Sequence, residues 1–315
     1  MAKKSPPPAV MLNLIIGYWV SRLIYVAAKL ELADLLDDGP RTVEELAMAA
    51  GVRAPALYRV LRALASVGIF EETKGRQFKL TPLAATLRTG VTGSMRAPAM
   101  MMVENYMFDA WNQLLHGVKA GEVPFLKAHG VPIFEYLEQH PEDLQVFGES
   151  MTSVSGTENP AIAAGYKFSA LRTLVDVAGG HGSLLATILK ANPKLRGVLF
   201  EQPSVIARAG KDQHVTAKGI AGRCMLESGD FFESVPKGGD AYIMKYILHD
   251  WDDERSVKIL ANCRAAMNEN GKVLVVDNVI PPGNDPGCSL ILICSSSVDA
   301  SAPRTNSPRS SQRRG

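Results

Sequence analysis

Cysteine is scarce in this chain, with four residues in 315, at positions 224, 263, 288 and 294. They form no CxxC pair and share no metal-ligand spacing with the six histidines. This scarcity argues against both a disulfide framework and a structural zinc site. We expect free thiols and no metal in the chemistry.

Long hydrophobic runs are also missing. The most apolar stretch, MLNLIIGYWV near the N-terminus, is followed by Arg22 and Lys29, well short of the roughly 20 residues that span a bilayer. No small-residue cleavage site follows a charged start there. These features predict a cytoplasmic protein with no membrane partner.

The chain carries little net charge, +2 at pH 7. Residues 288–315 hold four arginines against one aspartate, so the rest of the chain is slightly acidic. A basic surface that would bind nucleic acid is therefore not indicated, and we expect no nucleic-acid partner.

Residues 1–100 show the order helix, turn, helix, hairpin. Thr42 and Glu45 form a capping-box pattern that opens one helix, a second helix begins near Ala54, and two strand patterns flank Lys74-Gly75. This order is typical of a winged helix. The basic residues of its second helix could enter a DNA groove, but the charge of the domain is nearly balanced, so we favour a scaffold or dimer interface.

Residues 101–170 are predicted to be mostly helical and are rich in methionine and aromatic side chains. Most of these side chains should lie in the core. Some could line a pocket for a flat aromatic substrate. The candidates are Met107, Trp111 and Met151.

The stretch LVDVAGGHGSLL, residues 174–185, combines an apolar strand pattern holding Asp176, a glycine cluster and the start of a helix. Glycines there let the backbone turn tightly and approach a ligand, which is typical of a nucleotide-type pocket. Alone, the stretch could equally be a tight connection.

After residue 168, strand and helix patterns alternate. Strands are predicted at 173–177, 197–201, 224–228, 241–245 and 272–277, with helices at 183–191, 204–210 and 253–268. Successive βα units indicate an α/β fold with a Rossmann-like, doubly wound parallel sheet, whose ligand binds at the carboxyl ends of the strands.

Two acids lie where such a ligand would bind. Glu201 ends the second predicted strand, where a carboxylate can accept hydrogen bonds from ribose hydroxyls, although it could instead cap the next helix. Asp230 follows the third strand, beside Phe231, and the pair could hold and stack on a base. A simple turn is the alternative for that pair.

The segment DAYIMKYILHDWDDE places Lys245 and His249 four residues apart at the end of an apolar strand. A lysine is rarely buried there without a partner, and a cofactor carboxylate would serve. Because histidine titrates near neutral pH, His249 could take a proton from an acceptor hydroxyl. A hydrogen-bonded structural histidine is the alternative.

Taken together, these motifs resemble the class I S-adenosylmethionine-dependent small-molecule O-methyltransferases, a family that includes plant caffeate and flavonoid enzymes and bacterial polyketide and phenazine relatives. The match runs from about Leu12 to Gly287 and includes VDVAGGHG, LFEQP, SGDFFESVP, MKYILHDWDDE and NGKVLVVDNVIPPG in the family's order. The resemblance implies an N-terminal winged-helix dimerisation domain at residues 1–100, a helical linker and acceptor-pocket segment at 101–170, and a methyltransferase domain at 171–287.

The resemblance also implies roles for individual residues. His249 would be the general base, with Asp250 beside it and Asp277 orienting it. Glu201 would hold the ribose of S-adenosylmethionine, and Lys245 would lie near its methionyl end. The full cofactor-binding set implied is Asp176, Ala178, Gly180, Gly182, Glu201, Asp230, Phe231 and Lys245.

Three departures from the family pattern stand out. Ala178 replaces the first glycine of the motif, which is tolerable if its φ is negative. Glu201 stands where common plant members have an aspartate, and Asp277 stands where they have a glutamate. The spacing from Glu201 to Asp230 is also longer than usual.

We therefore expect a homodimeric enzyme that moves a methyl group from S-adenosylmethionine to a phenolic or similar small aromatic hydroxyl, with a histidine base and no metal. A non-catalytic S-adenosylmethionine-binding protein or winged-helix regulator is the alternative. A third possibility is a relative of these enzymes that kept the cofactor but catalyses a different reaction.

Residues 288–315 do not fit the family. Relatives continue with a helix, an acid-bearing stretch, another helix and two strands. If each codon is started at the third base of the present one, residues 299–315 can be read as Arg-Arg-Glu-Arg-Thr followed by an apolar helix. This indicates a frameshift near Gly287. We therefore expect an aberrant, disordered tail, a sheet that is incomplete at its C-terminus, and impaired turnover of the acceptor. A genuine disordered tail is the alternative.

Overall fold

The computed structural model describes residues 6–211 and 213–277. Within these residues the chain forms an N-terminal helical domain with a small sheet, a run of helices, and a three-layer α/β domain. The strands are β1 Arg41–Thr42, β2 Phe70–Thr73, β3 Gln77–Leu80, β4 Thr173–Val177, β5 Arg196–Glu201, β6 Cys224–Ser228, β7 Ala241–Lys245 and β8 Lys272–Val276. The helices are α1 Pro7–Ile15, α2 Gly17–Lys29, α3 Leu32–Leu35, α4 Val43–Ala49, α5 Ala54–Ser66, α6 Pro82–Ala85, α7 Arg96–Met101, α8 Asn105–Asn112, α9 Leu114–Ala120, α10 Pro124–His129, α11 Ile133–Gln139, α12 Pro141–Gly165, α13 Ser183–Ala191, α14 Pro203–Ala209, α15 Gln213–Thr216 and α16 Asp253–Ala266.

The predicted winged helix is confirmed. The Thr42 side chain accepts a hydrogen bond from the Glu45 amide while the Glu45 carboxylate accepts from the Thr42 amide, so both halves of the capping box are present. Strands β2 and β3 pair antiparallel around a turn in which Gly75 has a φ of 74°. Helix α5 buries one side of its surface, through Leu57, Leu61 and Leu64, against the core of this domain.

Helices α1 and α2 form the most apolar part of the described chain. By length and composition alone, Pro7–Lys29 could cross a membrane, but buried helices and signal sequences pass the same test. The second half of this stretch is bound to the start of the helical segment that follows its domain: Arg22 donates to the Val103 carbonyl at 2.8 Å, and Lys29 pairs with Glu104 at 3.1 Å. The first half exposes Leu12, Leu14 and Ile15 among other apolar side chains.

The helices from α7 to α12 enclose a separate core. Tyr106, Met107 and Phe125 are buried there with Leu137. Several methionine and aromatic side chains of the segment are therefore structural, as predicted, while others are only partly buried. Phe134 is more exposed and stacks on Trp251 of the α/β domain, with 6.4 Å between ring centroids.

The large sheet is parallel throughout, with strand order β6-β5-β4-β7-β8. Apolar side chains alternate between its two faces: Leu174 and Leu199 pack on the α13 side, and Val175 and Tyr242 on the α16 side. The doubly wound α/β prediction is therefore confirmed. Strand β4 has β5 on one side and β7 on the other, so the strand order reverses at β4. In such a sheet a crevice opens at the carboxyl end of the strand where the order reverses.

Most predicted elements have the observed bounds to within two residues. Strand β8 ends at Val276, one residue before the predicted end, and α16 ends at Ala266, two residues before it. The short helix α15 was not predicted. The proposed frameshift, the tail at 288–315 and the absence of final strands all lie outside the described residues.

Candidate active site

The turn after β4 is built from left-handed backbone. Ala178, Gly180 and Gly182 have φ values of 56°, 57° and 76°. A negative φ, the condition under which an alanine would be readily tolerated at position 178, is therefore not met. Its amide donates to the Phe200 carbonyl at 2.8 Å, which holds the strained residue in place at a cost of about 1–2 kcal/mol for the β-carbon. A β-carbon on Gly182 would collide with Val215.

Asp176 lies beneath this turn, with 2% of its surface exposed. A β-carbon on Gly179 would be 2.5 Å from the Asp176 carboxylate, so the turn closes directly over the acid. Burial, and then the Glu201 charge, raise the pKa of Asp176 to about 7. Its Oδ2 has no hydrogen-bond partner among the described residues. A cationic donor above the turn would satisfy that oxygen.

Glu201 ends β5 beside the same turn. Its Oε2 accepts from the Gly180 amide at 3.1 Å and its Oε1 from the Gln202 amide at 2.8 Å. Burial raises the pKa of this carboxyl, and the two hydrogen bonds oppose that effect. Each carboxylate oxygen keeps a second lone pair, which can accept from a hydroxyl.

Asp230 and Phe231 follow β6. Asp230 is exposed, and its Oδ1 accepts from the Phe232 amide at 2.7 Å, the bond that the alternative turn interpretation requires. Phe231 packs edge-on against Phe232 and Trp251, at centroid distances of 4.7 and 5.9 Å. The turn bond engages only one oxygen of Asp230, so the other remains available for an amine.

Lys245 ends β7 and has the partner that its burial requires. Only 7% of its side chain is exposed, and its Nζ lies 2.7 Å from Glu158 Oε2. The Glu158 Oε1 accepts from the Tyr246 hydroxyl at 2.8 Å. Glu158 and Tyr246 were missed in the sequence, because nothing in the local pattern joins α12 to a strand end more than 80 residues away.

His249 lies in a 3-10 turn, Leu248–Asp250, just after β7. Its Nδ1 is 2.8 Å from Asp277 Oδ1, and its Nε2 is 3.5 Å from Asp250 Oδ1. The hydrogen bond to Asp277 raises the pKa of His249, burial opposes this, and the Asp250 charge adds to the increase. Burial also raises the pKa of Asp250 to about 6. The three residues assigned to proton transfer are thus neighbours in space.

The three acceptor-pocket candidates differ in exposure. Met107 is buried in the helical core, whereas Trp111 and Met151 are half-buried. Sequence reasoning did not single out Phe134, which reaches Trp251, two residues from His249. The helical segment therefore contacts the α/β domain at Trp251, in the loop that also carries His249.

Comparison with known proteins agrees with this arrangement. A family model for an O-methyltransferase domain matches residues 111–292, and one for an O-methyltransferase dimerisation domain matches residues 12–90. The chain is 46% identical over 281 residues to phenazine O-methyltransferase PhzM of Lysobacter antibioticus, covering 89% of this chain and 82% of the relative. It is 40% identical over 265 residues to a mitomycin biosynthesis 6-O-methyltransferase of Streptomyces lavendulae, covering 84% and 75%.

Solved structures have the same fold. The structure of LaPhzM superposes with a TM-score of 0.88 at 44% identity, covering 93% of this chain and 89% of that one. The mitomycin 7-O-methyltransferase MmcR superposes with a TM-score of 0.83 at 37% identity, covering 92% and 87%. A glycine turn, strand-end acids and a paired histidine thus occur in a chain that belongs to the S-adenosylmethionine-dependent O-methyltransferase family.

Proposed function

We propose that this enzyme methylates a hydroxyl of a planar aromatic molecule, with His249 as the general base. The observation that carries the proposal is the His249–Asp277 pair, 2.8 Å apart, at the strand ends that also form the glycine turn. The imidazole and the donor-binding elements therefore share one rim of the sheet.

The residues of that rim fit S-adenosylmethionine. The backbone at Ala178, Gly180 and Gly182 would lie against it, and the orphaned oxygen of Asp176 would accept from its ammonium group. The remaining contacts would come from the strand ends, with Glu201 at the ribose, Asp230 and Phe231 at the adenine, and Lys245 at the methionyl end. When bound, the donor supplies an electrophilic methyl group on a positively charged sulfur.

The protein then has to remove one proton. If Nδ1–H donates to Asp277, the lone pair of Nε2 can accept the proton of the acceptor hydroxyl. Asp277 and Asp250 stabilise the resulting imidazolium, and the oxygen is freed to attack. Holding both reactants in line supplies several kcal/mol, so no metal is needed.

An aromatic acceptor is supported by two observations. Phe134 and Trp251 present stacked rings, and Trp251 lies two residues after His249 in the chain; Trp111 and Met151 are further pocket candidates. The relatives named above act, by their names, on phenazine and mitomycin compounds, and another is a flavone O-methyltransferase of Triticum aestivum. A fused or substituted aromatic phenol is the acceptor class that we propose.

We propose a homodimer formed through the N-terminal domain. Its support is the apolar surface that α1 and α2 expose, together with the dimerisation-domain match. DNA binding is disfavoured because Arg62 of α5 pairs with Glu72 at 3.1 Å and with the Tyr58 hydroxyl. Cytoplasmic location, no membrane partner and no nucleic-acid partner stay predictions.

The division of the chain into domains at residues 100, 170 and 287 also stays a proposal, as does the frameshift that would impair acceptor turnover.

The proposed function is tested by calorimetric titration of S-adenosylmethionine into this chain, followed by a methyl-transfer screen over phenols and hydroxyphenazines. The screen uses this chain and a version with the reading frame restored after Gly287. We expect cofactor binding by both and stronger turnover by the restored chain. Cofactor binding without any turnover in the restored chain would favour a regulatory protein.

A further inference from the structure

Two adjacent residues of α12 reach opposite walls of the donor site. Glu158 contacts the end of β7, as described above. The amide of Asn159 lies 2.7 Å from Ser183 Oγ; with its oxygen toward α13 it accepts from the Leu184 amide at 3.3 Å, while its nitrogen donates to the Ser155 carbonyl at 3.0 Å. We name Glu158 and Asn159 the α12 brace.

Asn159 supplies a cap that α13 lacks locally. The residue before α13 is Gly182, which has no side chain to accept from the first-turn amides. Asn159 is 1% exposed, so the capping contact is shielded from water. The same helix meets the glycine turn at Gly148, where a β-carbon would lie 2.8 Å from the His181 ring. Helix α12 is therefore packed directly on the turn that follows β4.

Glu158 does more than neutralise Lys245. It also accepts a hydrogen bond from the hydroxyl of Tyr246. Tyr246 has a φ of 58°, a left-handed backbone conformation that residues other than glycine rarely adopt. Such a backbone persists only where the surroundings fix it. Here the Tyr246 amide donates to the Val276 carbonyl at 2.9 Å, and the Lys245 ammonium lies over its ring at 4.9 Å.

Tyr246 also touches the proposed base. Its ring centroid is 5.8 Å from that of His249, and the two residues are joined by a tight turn. Glu158, which bonds the Tyr246 hydroxyl, is therefore linked through Tyr246 to the turn that carries the imidazole.

We infer that Glu158 is a positioning residue for methyl transfer, which acts through Lys245 and Tyr246 to hold the end of β7 against both the donor site and His249. The inference rests on the proposed function. Met151 and Glu158 are seven residues apart, two turns of one helix, and so lie on the same side of it. The acceptor wall and the brace are therefore parts of one rigid element.

The test is calorimetric titration of S-adenosylmethionine into Glu158→Gln, Glu158→Ala, Lys245→Met and the double variant Glu158→Gln/Lys245→Met, with thermal unfolding in parallel. Glu158→Ala should weaken binding by at least about tenfold, because it removes the carboxylate that pairs with the buried ammonium and accepts from the Tyr246 hydroxyl. Glu158→Gln should be less affected, since its amide oxygen can still accept from Tyr246. The double variant should bind no worse than Lys245→Met alone.

Glu142→Gln, on an exposed residue of the same helix, is the matched control and should bind as the unmodified chain does. A purely structural role would lower the unfolding midpoint of the Glu158 variants without changing the affinity of the folded protein, and that result would overturn the inference. Additive losses in the double variant would also overturn it. Failure of the unmodified chain to bind S-adenosylmethionine would instead contradict the proposed function.

Discussion

Replacing Asp277 by asparagine should lower the pKa of His249. The asparagine oxygen can still accept from Nδ1, so the ring keeps its orientation and only the charge is lost. The Asp277 hydrogen bond is the largest influence that raises this pKa. A hydrogen bond to a charged group contributes about 1.5–3 kcal/mol, and because His249 is about one-third exposed, solvent screening reduces that contribution.

The assay is an NMR titration of the His249 ring protons, which needs no turnover and therefore suits this chain as it stands. The unmodified protein should titrate above the ordinary histidine pKa, and Asp277→Asn should titrate at a lower pH than the unmodified protein. Asp250→Asn should also lower the value, but by less, because its charge is a smaller influence. Asp253→Asn, in the exposed first turn of α16, is the control.

In a version with the reading frame restored after Gly287, the same change should move the acid limb of kcat/KM to lower pH. The reason is that His249 must be neutral to accept a proton, so activity falls as pH drops through its pKa. The plateau should fall as well, since a weaker base removes the proton less readily. An Asp277→Asn titration that coincides with that of the unmodified protein would refute the assignment of Asp277.

Three further predictions concern stability and assembly. Ala178→Gly should raise the free energy of unfolding by about 1 kcal/mol, because φ is 56° there and the left-handed β-carbon contact is removed; an unchanged or lower urea midpoint would contradict this. Asp176→Asn should stabilise the protein increasingly from pH 5 to pH 8 in thermal unfolding. The folded pKa of about 7 lies above the ordinary aspartate value of 3.8, so the unmodified protein loses stability as pH rises between these values, by up to about 4 kcal/mol; an equal gain at pH 5 and pH 8 would contradict this prediction. Leu14→Glu, at a side chain that is 71% exposed, should shift sedimentation from dimer toward monomer, whereas an unchanged dimer would place the interface elsewhere.

Much of the fold could be predicted because it depends on local pattern. Strand β4 and helix α13 were predicted with their observed bounds, since an apolar run, a glycine cluster and a second apolar run mark their ends. The capping box at Thr42 and the hairpin at Gly75 are similarly local. Their chemistry determines the backbone whatever lies around them.

The site could be predicted only in part. Residues at strand ends were found, because parallel strands bring their carboxyl ends to one edge. The partner of Lys245 was not found, since Glu158 lies 87 positions earlier in a helix with no charge pattern that singles it out. The φ of Ala178 could not be predicted, because a glycine motif does not state which of its positions need a left-handed backbone.

The central claim is that the rim of the sheet divides two tasks, donor binding at the strand ends and proton removal at His249. The most direct measurement compares His249→Ala with the unmodified sequence in the frame-restored chain, by calorimetry with S-adenosylmethionine and by methyl transfer to a phenolic acceptor. We predict a cofactor affinity within about threefold and a loss of turnover of about 100-fold or more. Turnover equal to that of the unmodified protein would contradict the account.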